Sequence, residues 1–285
     1  MWTRRTLLAA TAGLPFAAHA GDNPAGLIAA IEKRSGGRLG VAALDTGTGR
    51  RIEHRSNERF AMCSTFKLLL AAAVLHRVDE GQENLDRRIA YGNADILPHA
   101  PVAQANLATG SLTVARMAEA VIEDSDNTCA NKLIASLGGP SAVTAYARTL
   151  GDTVTRLDRT ETALNTAIAG DKRDTTTPDA MLDDLRHLTL GNALSDTSRT
   201  SLTSWLIKCA TAAARIPAGL PAGWKSGNKT GTGENGATND VAILWPPGRK
   251  PMLLAVYFTE SRIDLPAREA VIADVARVVS GTLIP

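Results

Sequence analysis

Two kinds of apolar patterning divide this chain. Near one end Leu39–Leu44 reads Leu-Gly-Val-Ala-Ala-Leu; the turn Asp45-Thr-Gly-Thr-Gly49 and then Arg51-Ile-Glu-His-Arg55 come next. Short strand-favouring runs around a Gly-rich turn predict a β-hairpin. Near the other end Asp240–Trp245 and Met252–Phe258 flank Pro246-Pro-Gly-Arg-Lys-Pro251, a second hairpin, and a helix is predicted from about Pro266 to Val279. The sequence between them is mostly helical. Phe66–Val78 is apolar almost all round, the mark of a helix buried on every side. Ser111–Glu123 carries Leu112, Met117, Val121 and Ile122 at roughly helical spacing. Thr177-Pro178-Asp179 supplies a cap, a proline and an acid to one first turn, and Gly191 closes that helix. Strands at both ends and helices between predict a discontinuous sheet domain over about 21–60 and 208–285, with an all-α domain over 61–207. The stretch from about 153 to 177 has little periodicity and is long for a connection, which usually accompanies function. There is no internal repeat.

Composition adds little except by exclusion. With 44% hydrophobic, 21% charged and 4% aromatic residues among 285, the chain is ordinary globular protein, not disordered or collagen-like. Arg4 and Arg5 are the whole charge excess; of 31 basic residues 29 remain against 29 acidic ones. A neutral body argues against nucleic-acid binding, which leans on a basic excess. Residues 1–20 read as a secretory signal: Arg4-Arg5, an apolar stretch from Leu7 to Ala18, then Ala18-His19-Ala20 before Gly21. Thr3–Leu8 also resembles a twin-arginine signal, which would mean export after folding. No other window is apolar over eighteen residues, so no membrane association is expected. Cys63, Cys129 and Cys209 fit no metal-ligand spacing and suggest small buried hydrophobes.

Three short motifs carry chemistry. Ser64-Thr65-Phe66-Lys67 sets a serine and a lysine three residues apart, hence on one helix face. A serine needs a nearby base to become a nucleophile, and the apolar run after Lys67 would bury the amine and favour its neutral, basic form. The bland alternative is an N-cap serine beside a solvated lysine. Ser125-Asp126-Asn127 taken alone reads first as a polar loop capping a helix from Thr128, but it also offers a hydroxyl to pass a proton and an amide to orient a carbonyl. Lys229-Thr230-Gly231, continued by Thr232, combines a cation, hydroxyls and a glycine that admits close approach. It would hold a carboxylate at a strand edge, or be a common strand-end turn.

In this order and at these separations the three motifs resemble the class A β-lactamases and penicillin-binding proteins, and the class A resemblance spans essentially the whole mature length. It implies an α/β (α+β) serine β-lactamase/DD-peptidase-like fold, with a five-stranded antiparallel sheet, flanking helices and an all-α domain. Glu161-Thr162-Ala163-Leu164-Asn165 matches the family's E-x-x-L-N loop, an Ω-loop over about 156–174. The resemblance then assigns Ser64 as nucleophile and Ser125 as proton donor to the lactam nitrogen. Glu161 becomes the deacylation base, with Asn165 positioning its water; the acylation base is either Lys67 or Glu161. Lys229, Thr230, Gly231 and Thr232 hold the substrate carboxylate, and Asn127 orients the side-chain amide. Asn131 ties the loop to the helical domain, and Arg159 and Asp174 close its base. No metal or other cofactor is implied, and the expected partners are small β-lactam molecules acted on by a periplasmic monomer.

Departures from the family pattern bear on specificity. Thr162 replaces the usual proline, which makes a cis peptide less assured. Asn228 replaces an aspartate, losing a charge near Lys229. His99 takes a cleft-edge place commonly aromatic. Thr238 stands where many members carry arginine, and Arg215 resembles the alternative arginine of others. Gly233 stands opposite Cys63, so the disulfide of one carbapenemase subgroup cannot form. The competing readings are a penicillin-binding DD-peptidase and a covalent β-lactam sensor.

Overall fold

A computed structural model describes residues 23–283; the export segment read over 1–20 lies outside them. Nine strands are present among them: β1 Arg38–Asp45, β2 Arg51–His54, β3 Phe60–Ala61, β4 Arg88–Ala90, β5 Ser111–Thr113, β6 Thr175–Thr176, β7 Lys225–Thr232, β8 Thr238–Trp245 and β9 Met252–Thr259. Five form an antiparallel sheet in the order β2-β1-β9-β8-β7. Both predicted hairpins are there, β1–β2 and β8–β9, joined by the pairing of β1 with β9, which sets Val41 against Val256.

All eight residues of β9 are buried. Helices cover both sheet faces, so β9 reads as a continuous apolar run instead of an alternating one. On one face Ile28 and Ile31 of the helix Pro24–Ser35 and Ile272 and Val275 of the helix Leu265–Leu283 pack on Val256 and Leu254. On the other, Tyr257 and Leu253 join a larger core around the helix Phe66–Asp79, ten of whose fourteen residues are buried.

The helix Pro178–Thr189 is capped by Thr177, whose hydroxyl accepts from the Ala180 N–H. The predicted helix over 111–123 begins only at Val114. Its first three residues form β5, paired with β4, and Thr113 caps the helix Val114–Glu123. A second ribbon pairs β3 with β6. The part of the chain predicted to be helical therefore also holds one small ribbon and shares a second with the end of the first sheet segment, both too short for any apolar alternation to show. None of the described helices is long and apolar enough to cross a membrane.

Candidate active site

Ser64 lies in a 3₁₀ turn, Cys63–Thr65, that leads straight into the helix Phe66–Asp79. Edge strand β7 passes so close that a Cβ on Gly231 would sit 2.7 Å from the Met62 carbonyl and 3.1 Å from the Ser64 nitrogen. Only glycine permits this approach. Asn239 holds the turn from β8, donating to the Ala61 and Met62 carbonyls at 2.9 and 3.0 Å.

Lys67 is one helical turn on and fully buried. Its ammonium donates to Ser64 Oγ at 3.0 Å, the Ser125 carbonyl at 2.8 Å and Asn127 Oδ1 at 2.6 Å, and stands 2.9 Å from Glu161 Oε1. Burial pushes this amine below its ordinary range, with the Glu161 carboxylate pulling the other way. Glu161 Oε1 also accepts from Ser64 Oγ at 3.4 Å, and Oε2 accepts from Asn165 Nδ2 at 2.6 Å.

Ser125 sits at φ +58° between two helices, the strained backbone of an aimed side chain. Its hydroxyl takes a 3.0 Å hydrogen bond from Lys229 Nζ. What holds it there is Asp126, fully buried, whose Oδ1 accepts from the Cys129 N–H and whose Oδ2 accepts from the Val102 and Ala103 N–H groups. Both readings of this motif thus coexist: Asp126 caps the helix Asn127–Leu137, while Ser125 and Asn127 face the cleft. Asn127 Nδ2 is anchored on the Pro98 carbonyl.

Asn131 clamps the loop by a reciprocal pair. Its Nδ2 donates to the Glu161 carbonyl at 2.8 Å, and its Oδ1 accepts from the Glu161 N–H at 2.9 Å. Arg159 Nε meets Asp174 Oδ2 at 2.6 Å. The Glu161–Thr162 peptide is cis despite the threonine. Asn131 fixes both backbone polar groups of Glu161.

On β7, Lys229 is fully buried, and burial lowers its ammonium to about 8. Thr230 Oγ1 pairs with Thr211 Oγ1 at 2.5 Å. Arg215 reaches the same strand: Nη1 donates to the Gly231 and Asn239 carbonyls and Nη2 to Thr232 Oγ1 at 2.6 Å. Thr238 pairs with Thr232 across the strands. His99 lines the cleft with its ring bonded to the Asp124 carbonyl at 2.9 Å. The whole forms a cleft of about 370 Å³.

Two sequence expectations need correction or completion. Asn228 does not lie beside the Lys229 ammonium, because neighbours on a strand point to opposite faces. Its Nδ2 instead donates to Asp240 Oδ2 at 3.0 Å, and burial lifts that carboxyl to about 7. Glu269, missed in the sequence, lines the cleft with Oε1 3.2 Å from Arg215 Nε. It lies in the last helix, 54 residues beyond its partner, and nothing local marks it. Cys63 is a free, buried thiol, and Gly233 does face it: a Cβ there would come within 2.6 Å of the sulfur.

Known proteins resemble this chain in sequence and fold. Residues 24–283 match the model of the Beta-lactamase enzyme family. The β-lactamase CTX-M-25 of Escherichia coli is 48% identical over 284 residues, covering 97% of each chain. OXY-1 of Klebsiella oxytoca is 45% identical, again over 97% of each. Among solved structures, a class A β-lactamase described as the last common ancestor of Gram-negative bacteria superposes with a TM-score of 0.89 at 59% identity, over 91% of this chain and 99% of that one. A putative class A enzyme from Rhodopseudomonas palustris gives 0.89 at 52% over the same shares. Sheet order, a buried lysine between two serines and a carboxylate, and similarity over nearly the full length all lead to one family: the chain is a class A β-lactamase.

Proposed function

We propose that the chain hydrolyses the amide bond of β-lactam antibiotics through an acyl-enzyme on Ser64, and so confers resistance to them. One observation carries the reading: the Lys67 ammonium lies within hydrogen-bond reach of both Ser64 Oγ and Glu161 Oε1. A nucleophile, an amine and a carboxylate are then linked for two successive proton transfers.

In the first half, Ser64 Oγ bonds to the lactam carbonyl carbon while its proton passes to Lys67 in its neutral amine form or to the Glu161 carboxylate. The Ser64 and Thr232 N–H groups stabilise the oxyanion, each such donor being worth about 3 kcal/mol. The C–N bond breaks and Ser125 delivers its proton to the nitrogen, taking up in its place the proton that left Ser64, by way of Lys67 3.4 Å away. In the second half, Glu161 takes a proton from water held with Asn165, the hydroxide opens the ester, and the same proton passes to the leaving Ser64 Oγ, which restores both residues. Lys229, Thr230, Thr232 and Arg215 bind the substrate carboxylate, Gly231 leaves room for it, and Asn127 orients the side-chain amide. Action as a periplasmic monomer, and the division into a sheet domain and a helical domain, belong to the same proposal. Mixed with a chromogenic cephalosporin in large excess, residues 21–285 should turn over continuously. A burst of about one equivalent and then silence would mean a penicillin-binding acceptor or a sensor instead.

Two further results are expected from the carboxylate end of the cleft. The lowered Lys229 ammonium loses its proton as pH rises through about 8, so kcat/KM for a carboxylate-bearing penicillin should fall on that side. In Lys229→Arg the alkaline limb should move out of range, because a guanidinium does not titrate there. A pH profile unchanged by the substitution would assign the limb to another group. Glu269→Gln keeps an acceptor for Arg215 Nε but removes the opposing charge. Arg215 is 4% and Glu269 19% exposed, so the pair is worth about 1 kcal/mol, or roughly fivefold. KM for the same penicillin should drop by about that factor with kcat unchanged. A raised KM would show that Glu269 acts by positioning Arg215.

A further inference from the structure

Behind the Ω-loop lies a second cavity, of about 410 Å³, that shares no lining residue with the cleft. That volume falls within the range of small-molecule sites. It separates residues 167–173 of the loop from the start of β1 and the end of β9, and two features of its walls point to one kind of occupant.

The first is unspent positive charge. The acids on its walls are already paired: Glu260 with Arg38 at 2.9 Å, Glu58 with Arg55 at 3.0 Å as well as Arg38 at 3.3 Å, and Asp171 with Arg173 at 2.8 Å. Arg159 is held by Asp174. Arg59 and Lys172 also line the cavity, yet neither has a carboxylate within ion-pair distance among the described residues. Arg59 spends Nη1 on the Val154 carbonyl and Thr175 Oγ1, both at 3.0 Å, which fixes its guanidinium at the wall without discharging it. The second feature is apolar. Ala61, Leu164 and Ala167 form part of the lining, and Ile168, one of the few large hydrophobic side chains left in water, is 53% exposed at its edge.

We propose that this cavity is a second binding site, taking a small organic anion with a doubly charged oxyanion head and a compact apolar body. Arg59 and Lys172 hold the head, since a guanidinium and an ammonium match tetrahedral oxyanions by hydrogen bonding and charge. Ile168 and its neighbours cover the body, whose burial removes their apolar surface from water. Neither the head nor the body alone uses both walls.

Phenylphosphonate titrated into the full enzyme by calorimetry tests this. Saturable binding is expected, at least tenfold tighter than that of inorganic phosphate or benzyl alcohol, which carry only one half of the ligand. Lys172→Glu should weaken it at least tenfold, and Arg59→Gln should do the same where that variant folds. Lys172→Glu should also leave cephalosporin turnover unchanged, because Lys172 has no part in the cleft. Arg215→Ala should leave phenylphosphonate affinity as it is. Binding that survives Lys172→Glu but is lost in Arg215→Ala would place the anion in the cleft and overturn the proposal. So would the absence of saturation, or an affinity equal to that of phosphate alone.

Discussion

Glu161→Ala is expected to leave the enzyme stalled as a covalent acyl-serine, with kcat reduced about 10³-fold or more, the range for losing a general base. The geometry isolates this effect. The backbone of Glu161 is held by both ends of the Asn131 amide, and the base of the loop by Arg159 and Asp174. Truncating the side chain therefore removes a carboxylate without releasing the segment that carries it. Lys67 remains hydrogen-bonded to Ser64 and Asn127, so attack on the lactam still has an amine beside the nucleophile. Mass spectrometry should find the chain heavier by one intact β-lactam, attached at Ser64. The acylation rate of the same variant decides the first proton transfer: a rate near that of the unmutated enzyme assigns it to Lys67, a large fall to Glu161. Undiminished turnover would mean that the deacylating base is elsewhere.

Asp126→Ala should cost about 4 kcal/mol of stability, although the residue touches no substrate. Its carboxylate accepts from three backbone N–H groups, those of Val102, Ala103 and Cys129, in a fully buried position. Each orphaned buried donor costs about 1–3 kcal/mol, and local relaxation returns part of the total. For a chain of this length that corresponds to a midpoint lower by about 10 °C, read by thermal unfolding with circular dichroism. Asp126→Asn should recover little, because its NH₂ would be turned toward N–H donors on one side or the other. A loss under about 1 kcal/mol would show that the three groups find water.

These two residues also mark what can be read from sequence. Glu161 is legible because its motif stands in a segment without periodicity, where E-x-x-L-N is not mistaken for the face of a helix or strand. Asp126 is legible only as a helix cap; that the same side chain also binds the backbone of Val102 and Ala103 depends on how two distant segments meet. Glu269 leaves no trace, since a single acid in an exposed helical turn looks the same whether or not an arginine waits opposite. The long elements are clear, Phe66–Asp79 from its all-round apolar character and the hairpins from their turns. β3, β4, β5 and β6, two or three residues each, are too short for alternation and are defined by their partners. Asn228 shows a subtler limit: its identity is informative, but its direction comes from the strand's pleat.

The sheet order has a consequence for how the molecule is made. β9, synthesised after the other described strands, lies between β1, the first of them, and β8. Until residues 252–259 leave the ribosome, the early hairpin has no neighbour across β1, and its apolar side chains have only half a sheet to cover them. Closing so long a loop makes the central pairing a late, slow event. The nucleophile is thus translated long before the edge strand that completes its cleft, and until β9 follows, β1 and β8 each keep one strand edge unpaired.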